Sequence, residues 1–226
     1  MRYKLEGSVM PAVEVLLNRG ESIYTQTGGM CWMSDGISMS TNARGGFMRG
    51  LGRMFSGESF FMTSYQAEMD GAMVAFSSTV PGEIVPVDLR EYRGFYCQKG
   101  SFLCAESAVE TKVAFTKKVS SGFFGGEGFI LQEMQGNGMV FLEVDGNKVE
   151  KELLPGEVIK VDTGNVVAFE DGISYEIERI KGVKNIFFGG EGLFLTKLTG
   201  PGKIILQTQN FNDFAGRIAS LIPSGS

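Results

Sequence analysis

The stretch Phe124-Gly125-Gly126-Glu127-Gly128-Phe129 decides the fold, because the chain contains two further stretches of closely similar sequence. They read Phe-Ser-Gly-Glu-Ser-Phe at 55–60 and Phe-Gly-Gly-Glu-Gly-Leu at 188–193. The central glutamates of the three stretches are separated by 69 and 64 residues. A phrase that recurs at a nearly constant step is typical of a chain built from copies of one structural unit. We therefore predict three such units.

The similarity extends to the sequence before each stretch. A glycine that opens an apolar run precedes the central glutamate by 29, 27 and 27 residues, at Gly29, Gly100 and Gly164. A Gly-Glu pair stands earlier still, at 20–21, 82–83 and 156–157. We predict one compact body with β repeats at 1–79, 80–148 and 149–210, followed by a C-terminal segment at 211–226.

The apolar residues within each repeat alternate with a period of two, which indicates β-strands. Val140, Leu142 and Val144 share one side of a strand, and Ile-Ser-Tyr-Glu-Ile-Glu at 173–178 alternates strictly. After each central glutamate, two apolar runs are separated by a turn, which predicts a β-hairpin. The fold class is therefore all-β, with antiparallel sandwich or jelly-roll-like units in a pseudo-threefold arrangement.

The C-terminal segment has a different period. Phe211, Phe214, Ala215, Ile218 and Ile222 are spaced by three and four residues, which predicts a short amphipathic helix over 211–222. Asn210 suits its N-cap, and Pro223 ends it. We expect the helix to cover an open end of the β body or to contact a neighbouring subunit. Membrane attachment is disfavoured, because Arg217 is its only cation.

Charge and hydropathy exclude several classes of partner. The net charge of −5 gives no positive field to attract phosphate backbones, so we expect no nucleic acid. No apolar run approaches the roughly 18 residues of a spanning helix, and the first residues read neither as a signal peptide nor as an organellar transit peptide. Three cysteines without a Cys-x-x-Cys pair suit a reducing compartment. We expect a cytoplasmic protein.

The absence of histidine excludes the common catalytic sites. The chain has no His, so Ser-His-Asp and Cys-His nucleophiles and His-bound zinc are ruled out. Carboxylate, lysine, tyrosine or thiol chemistry remains open, but we identify no catalytic set and no cofactor motif. We expect a protein that is not an enzyme and holds no cofactor.

The repeated glutamates Glu58, Glu127 and Glu191 are candidates for a shared site. Around a threefold axis they could converge on calcium or magnesium, which prefer oxygen ligands, and so support a carboxylate-metal enzyme. Alternatively, each glutamate accepts backbone N–H groups within its turn or pairs with an arginine, and it recurs because the fold recurs. We favour the second interpretation and predict no metal.

Arginine and glycine residues at 44–53 occur in the first repeat alone. Arg44, Arg49 and Arg53 could bind an anionic ligand, an acidic partner or lipid head groups. The segment lacks the spacing of a nucleotide-binding loop. The simpler alternative is a connection whose arginines pair with surface carboxylates.

Several sulfur-containing and aromatic side chains are expected in the core. Cys31 and Cys104 occupy nearly equivalent positions beside apolar neighbours, as inert core thiols do. Trp32 is predicted to anchor the core, and the methionines of the first repeat are expected to fill core and interface.

The chain resembles the altered-inheritance-of-mitochondria family over nearly its whole length. The residues that carry the resemblance are Gly20-Glu21, Gly29 with Trp32 and Met33, Gly45-Gly46, Arg53-Met54-Phe55, Gly57 to Phe61, Pro81-Gly82 and Gly126 to Gly128. The resemblance implies repeated jelly-roll-like units similar to tryptophan-attenuation RNA-binding proteins, commonly assembled as trimers. It places the chain in the prokaryotic branch, which has no assigned activity, because no transit segment is seen. It supplies no catalytic residue.

Together these observations predict a non-enzymatic homo-oligomeric β protein, with a trimer favoured, that acts as a scaffold or assembly module. A protein or a membrane surface is its expected partner. The alternative is a small-ligand or anion-binding module that uses Arg44, Arg49 and Arg53.

Overall fold

The computed structural model describes residues 1–26, 29–43, 61–117, 129–179 and 194–222. In these ranges the chain forms nineteen β-strands in antiparallel sheets and one α-helix. The all-β class and the short C-terminal helix are therefore confirmed. The helix, α1, spans Phe211–Leu221.

The strands are short and separated by glycine-containing turns. The first seven are β1 Arg2–Glu6, β2 Ala12–Leu17, β3 Ser22–Gln26, β4 Met30–Met33, β5 Ile37–Ala43, β6 Phe61–Ala67 and β7 Ala72–Ser77. The next six are β8 Gly82–Asp88, β9 Phe95–Gln98, β10 Phe102–Glu106, β11 Val109–Lys117, β12 Phe129–Gly136 and β13 Met139–Asp145. The last six are β14 Lys148–Leu153, β15 Val158–Asp162, β16 Val166–Glu170, β17 Ser174–Arg179, β18 Phe194–Thr199 and β19 Gly202–Gln207.

The strands form four sheets that belong to two compact units. Unit 1 contains the sheets β1-β2-β7-β4 and β5-β6-β3-β10-β13-β8, and unit 2 contains β11-β12-β9-β16-β19-β14 and β15-β18-β17. The described residues of unit 1 fall within Met1–Asp88, Phe102–Val109 and Gly136–Glu143. Those of unit 2 fall within Leu89–Ser101, Glu110–Gln135 and Val144–Ser226.

The core of unit 1 lies between its two sheets. Val13, Val74 and Phe76 from the four-stranded sheet are fully buried with Ile23 and Phe141 from the six-stranded sheet. Tyr65 and Phe76 meet edge to face across the two sheets, with ring centroids 5.5 Å apart. Such aromatic pairs add to the stabilisation from burial.

The core of unit 2 is built in the same way. Leu131, Phe169 and Ile204 of the six-stranded sheet pack with Phe194 and Leu198 of the three-stranded sheet. Each unit is thus a two-sheet sandwich that buries the apolar face of its strands.

The predicted division into three consecutive units is not confirmed, because the compact units do not follow sequence order. Of the strands in the predicted second repeat, β8, β10 and most of β13 lie in unit 1, whereas β9 and most of β11 and β12 lie in unit 2. Pairing between distant strands, rather than closeness along the chain, decides which strands share a core. The pseudo-threefold arrangement stays a prediction.

The predicted hairpins after the repeated glutamates are wrong. β6 and β7 lie in different sheets, as do β12 and β13, and β18 and β19. In each case the chain leaves one sheet at the turn and enters another. Period-two alternation shows which side chains share a face, but it does not show which strand is the neighbour.

One strand order nevertheless recurs along the chain. The orders β2-β7-β4, β8-β13-β10 and β14-β19-β16 are the same arrangement of successive strands, and so are β5-β6-β3, β11-β12-β9 and β17-β18-β15. Two joins connect these groups, because β3 pairs with β10 and β9 pairs with β16. In the first group, the strand that corresponds to β10 and β16 is β4. In the last group, the strand that corresponds to β3 and β9 is β15.

Candidate functional site: the free edges of β4 and β15

The site residues predicted from the sequence lie outside the described ranges. This holds for Arg44, Arg49 and Arg53 and for the repeated glutamates Glu58, Glu127 and Glu191. Their roles in anion binding, in metal binding or as turn residues therefore stay predictions.

The Gly-Glu pairs at 20–21 and 156–157 lie within the described ranges, and their glutamates cap turns. Glu21 accepts the backbone N–H of Asn18 at 2.8 Å, and Glu157 accepts that of Leu154 at 2.9 Å. The preceding glycines, Gly20 and Gly156, have φ values of 86° and 77°, which favour glycine. These two Gly-Glu phrases are thus turns that satisfy their own backbone.

Three further side chains hold equivalent positions at the C-terminal ends of β4, β10 and β16: Ser34 directly follows β4, whereas Glu106 and Glu170 are the last residues of β10 and β16. Ser34 Oγ accepts the N–H of Met73, near the start of β7, at 2.9 Å. Glu106 accepts the N–H of Met139 at 2.7 Å, and Glu170 accepts that of Lys203 at 3.0 Å. This shared contact shows that β4, β10 and β16 are counterparts in side-chain detail as well as in strand order.

The registers agree with this equivalence. Each of the three strands carries an irregularity of one residue against its partner, at Cys31 in β4, Leu103 in β10 and Val167 in β16. Trp32 is therefore the counterpart of Cys104 and of Ala168.

Strand β4 differs sharply from its counterparts in burial. The first four residues of β10 and of β16 are all buried, whereas Cys31, Trp32 and Met33 are exposed. Trp32 retains 43% of its accessible surface, and its indole N–H donates to Glu14 Oε1 at 3.0 Å. Among the described residues, β4 pairs with β7 alone.

Two of the core predictions are therefore wrong. Trp32 does not anchor the core, and the thiol of Cys31 is exposed, because both lie on a strand whose outer edge is unpaired among the described residues. The prediction for Cys104 is confirmed: it is buried, and burial raises its thiol pKa well above the ordinary value. A thiol that stays protonated is a poor nucleophile.

Strand β15 is the matching edge in unit 2. On one side it pairs with β18, where Val161 lies opposite Thr196 and Lys160 opposite Lys197. Its other side has no partner strand within the described ranges. Val158 and Lys160 are exposed, whereas the counterpart strand β3 buries three of its five residues.

Helix α1 is a second exposed surface of unit 2. Asn210 Oδ1 accepts the N–H of Asn212 at 3.0 Å, so its predicted N-cap is confirmed. Asp145 accepts the N–H of Phe211 at 2.7 Å. No residue of α1 is buried, so the described residues give no support for a helix that covers the β body. The apolar side chains of Phe214, Ile218 and their neighbours are left exposed.

Carboxylates near the start of α1 are partly removed from water. Burial raises the pKa of Asp145, although the N–H of Phe211 opposes this shift. Burial also raises the pKa of Asp213, and the nearby charge of Asp162 adds to the effect. No cluster of three or more potential metal ligands is found among the described residues.

Unit 2 also has a cleft of about 230 Å³. Its apolar lining comes from Tyr92, Phe95, Ile204 and Ile205. Its charged lining comes from Glu150, Lys151, Glu152, Glu170 and Lys203. Because this set mixes both signs and Glu170 already accepts a backbone N–H, the cleft as a whole favours neither anions nor cations. In the described part of the chain, no helix is long and apolar enough to cross a membrane.

The β4 edge was not identified from the sequence. The available signal was that Met-Cys-Trp-Met in the first repeat is as apolar as Phe-Leu-Cys-Ala and Val-Val-Ala-Phe at the corresponding places. That signal favours burial, but it does not reveal whether the covering strand comes from the same chain.

The chain is similar to known proteins over nearly its whole length. The sequence profile of the family described as Mitochondrial biogenesis AIM24 matches residues 3–209. An uncharacterized protein of Streptococcus pyogenes serotype M6 is 30% identical over 235 residues, covering 100% of this chain and 93% of that protein. The crystal structure of a Streptococcus pyogenes protein superposes with a TM-score of 0.77 at 26% identity, covering 98% of this chain and 99% of that one.

Proposed function

The chain belongs to the AIM24 family, as the resemblance predicted, and from this premise we propose that it is a non-enzymatic scaffold that assembles with further copies of itself. The proposal concerns the protein's own surface and carries over no role from the relatives.

The observation that carries the proposal is the exposed apolar edge strand β4. Strand edges present unpaired N–H and C=O groups, and natural proteins protect them with charge, proline or a covering element. β4 has none of these within its own four residues, which are Met30, Cys31, Trp32 and Met33. Tryptophan and methionine are enriched in the centres of protein interfaces. The strand thus has the composition of an interface and not of a solvated edge.

Sedimentation velocity across micromolar concentrations tests the proposal. We expect an oligomer whose mass is a multiple of the 24.6 kDa chain. A single monomeric species over the whole range would overturn the proposed scaffold role. The full 226-residue chain should be used, because strands of the two units alternate along the sequence.

Anion binding by the arginine segment is the second candidate function. Arg44, Arg49 and Arg53 interrupt an otherwise repeated pattern, and a departure of this kind needs a cause of its own. The test is a triple Arg→Ser variant assayed against vesicles of phosphatidylglycerol and against a panel of phosphorylated metabolites. Unchanged binding across that panel would remove this candidate.

A further inference from the structure

We infer that the cleft of unit 2 binds a small zwitterion with an apolar body, of the chemical class of the α-amino acids. The inference goes beyond the proposed function, because it concerns a ligand and not self-association. All of the residues that line the cleft belong to unit 2, so the site depends on the fold of that unit alone.

The strand register divides the residues of the cleft between the two faces of the six-stranded sheet. Lys151 lies opposite Ile204 and shares a face with Leu153, which packs in the core of unit 2. Lys203 and Glu152 lie opposite each other on the other face. The two lysines of the cleft are therefore on different faces, and Lys203 is the one that stands beside the carboxylates.

A row of side chains crosses the sheet on the face of Lys203. Glu152 of β14 lies on one side of Lys203, and Glu170 of β16 lies on the other, where it accepts the backbone N–H of Lys203 at 3.0 Å. Glu170 in turn lies opposite Phe95 of β9. Residues opposite each other on neighbouring strands have Cβ atoms roughly 4.5–5.5 Å apart. The row thus places an ammonium group between two carboxylates, with an aromatic ring at its end.

The floor and one wall of the cleft are apolar. Phe95 and Ile205 are 2% and 6% exposed. The ring of Tyr92 stands beside that of Phe95, with ring centroids 5.2 Å apart. The volume of about 230 Å³ is below the roughly 300–1,000 Å³ of pockets for drug-sized ligands. The cleft therefore suits a ligand of metabolite size that has an apolar group to lay against these rings.

Three polar groups of the cleft are available to a ligand. The carboxylate of Glu152, the ammonium group of Lys203 and the hydroxyl of Tyr92 form no hydrogen bond or ion pair in the described part of the chain. Glu150, by contrast, already pairs with Lys148, with Nζ and Oε1 2.9 Å apart. The available set is one negative charge, one positive charge and one hydroxyl.

The electrostatic surroundings of Tyr92 show that both signs of charge act at the same place. Burial raises the pKa of its hydroxyl, and the charge of Lys203 opposes this shift. The charges of Glu170 and Glu150 add to it. The hydroxyl therefore stays protonated at neutral pH and can donate a hydrogen bond to an anionic group of the ligand.

A ligand with a single charge would leave part of this set unpaired. An anion that pairs with Lys203 lies beside Glu152 and Glu170, and a cation that pairs with Glu152 lies beside Lys203. A zwitterion satisfies both: its carboxylate accepts from Lys203 and Tyr92, and its ammonium group donates to Glu152. Its apolar body then lies on Phe95. Like-charge contacts thus select against simple anions and cations.

Isothermal titration calorimetry of the full chain tests the inference, with L-phenylalanine and L-leucine as probes. We expect a Kd of about 1 mM or lower for at least one of them. Phenethylamine lacks the carboxylate of L-phenylalanine, and 3-phenylpropanoate lacks its ammonium group. Each should bind at least about tenfold more weakly than L-phenylalanine, because a charge of the protein is left unpaired.

Substitutions in the cleft assign each charge of the ligand to its partner. Lys203→Met should weaken the binding of L-phenylalanine at least about tenfold and remove its advantage over phenethylamine. Glu152→Gln should weaken it similarly and remove its advantage over 3-phenylpropanoate. Lys112→Met and Glu110→Gln make the same charge changes on the exposed strand β11 and should leave binding unchanged.

The outcomes are decisive in both directions. No binding of either amino acid at about 10 mM, or equal binding of L-phenylalanine and its two analogues, would overturn the inferred site. Equal weakening of all three ligands by Lys203→Met would overturn the assigned pairing. The comparison of analogues uses the wild-type chain, so it holds even where urea unfolding shows that a variant is destabilised. A wild-type monomer that binds L-phenylalanine would overturn the proposed scaffold and leave this site standing.

Discussion

Strands β4 and β10 are the same element in two surroundings. Both carry a one-residue irregularity against the partner strand. At the C-terminal end of each, a side chain accepts a backbone N–H from the start of that partner strand: Ser34 from Met73 of β7, and Glu106 from Met139 of β13. β10 has a neighbour on each side and is buried, whereas β4 has one described neighbour and is exposed.

This difference shows that an apolar strand is not by itself evidence of a core position. The residues of β4 are as apolar as those of β10, but the element that would cover β4 is not among the described strands of its own unit. Exposed apolar surface of this kind marks an interaction site more often than it marks a solvated face.

The largest difference in folding stability between the two strands is expected at the residue of the register irregularity, Leu103 in β10 and Cys31 in β4. Leu103→Ala should destabilise the fold by about 3 kcal/mol, because it leaves a cavity in a buried strand. Cys31→Ala, at the counterpart position in β4, should change the free energy of unfolding by less than about 0.5 kcal/mol in the dissociated protein. Urea unfolding at low protein concentration measures both. Equal losses in the free energy of unfolding at the two positions would contradict the inferred difference in burial between β10 and β4.

Removal of the hydrogen-bond acceptors Glu106 and Ser34 should also destabilise the β10 side more than the β4 side, but the difference in free energy of unfolding should be smaller. Glu106→Ala should cost about 2 kcal/mol, because a charged acceptor is lost from the partly buried N–H of Met139. Ser34→Ala should cost about 1 kcal/mol through the N–H of Met73. Glu106→Gln keeps an amide oxygen and is the control. A Gln variant as unstable as the Ala variant would show that this hydrogen bond is not the cause.

The pH dependence of stability tests the partly buried carboxylate of Asp145 at the start of α1. Because burial raises the folded-state pKa of Asp145, this group contributes stability that is present below its ordinary value of 3.8 and is lost as the pH rises through the raised value. Asp145→Asn removes that contribution while keeping an oxygen for the N–H of Phe211.

The wild type should therefore lose stability relative to Asp145→Asn as the pH rises above 3.8, and the difference should level off above the raised pKa. Urea unfolding at a series of pH values measures the difference between the two proteins. Asp35→Asn, at an exposed carboxylate of the β4–β5 turn, is the control. A difference that grows in the opposite direction would contradict the assigned cause.

The smallest effect on folding is expected at the apolar face of α1. Phe214→Ser and Ile218→Ser should each change the free energy of unfolding by less than about 0.5 kcal/mol, because neither side chain is buried. Thermal unfolding at low protein concentration checks this. A loss of 2 kcal/mol or more would mean that the helix packs on the folded chain, as the sequence-based expectation had it.

Several parts of the fold could be predicted from local sequence. The strands follow from period-two alternation, the turns from glycine, and α1 from its three-and-four spacing with Asn210 as its cap. The predicted hairpins and the burial of Trp32 are wrong, because both depend on the identity of a neighbouring strand. That identity is set by residues far away in the sequence, such as Thr25 opposite Cys104.

The sequence by itself determined that this chain is all-β, that its Gly-Glu phrases recur and that a short amphipathic helix follows the last strand. Only the tertiary structure decided which strands pair, how they divide between two cores, and which of three equivalent apolar strands stays uncovered. The physical reason is that side-chain alternation specifies the face of a strand, whereas hydrogen bonding along its edge is open to any strand of matching register. For β4, the first of its series, the described chain provides no such strand on the outer side.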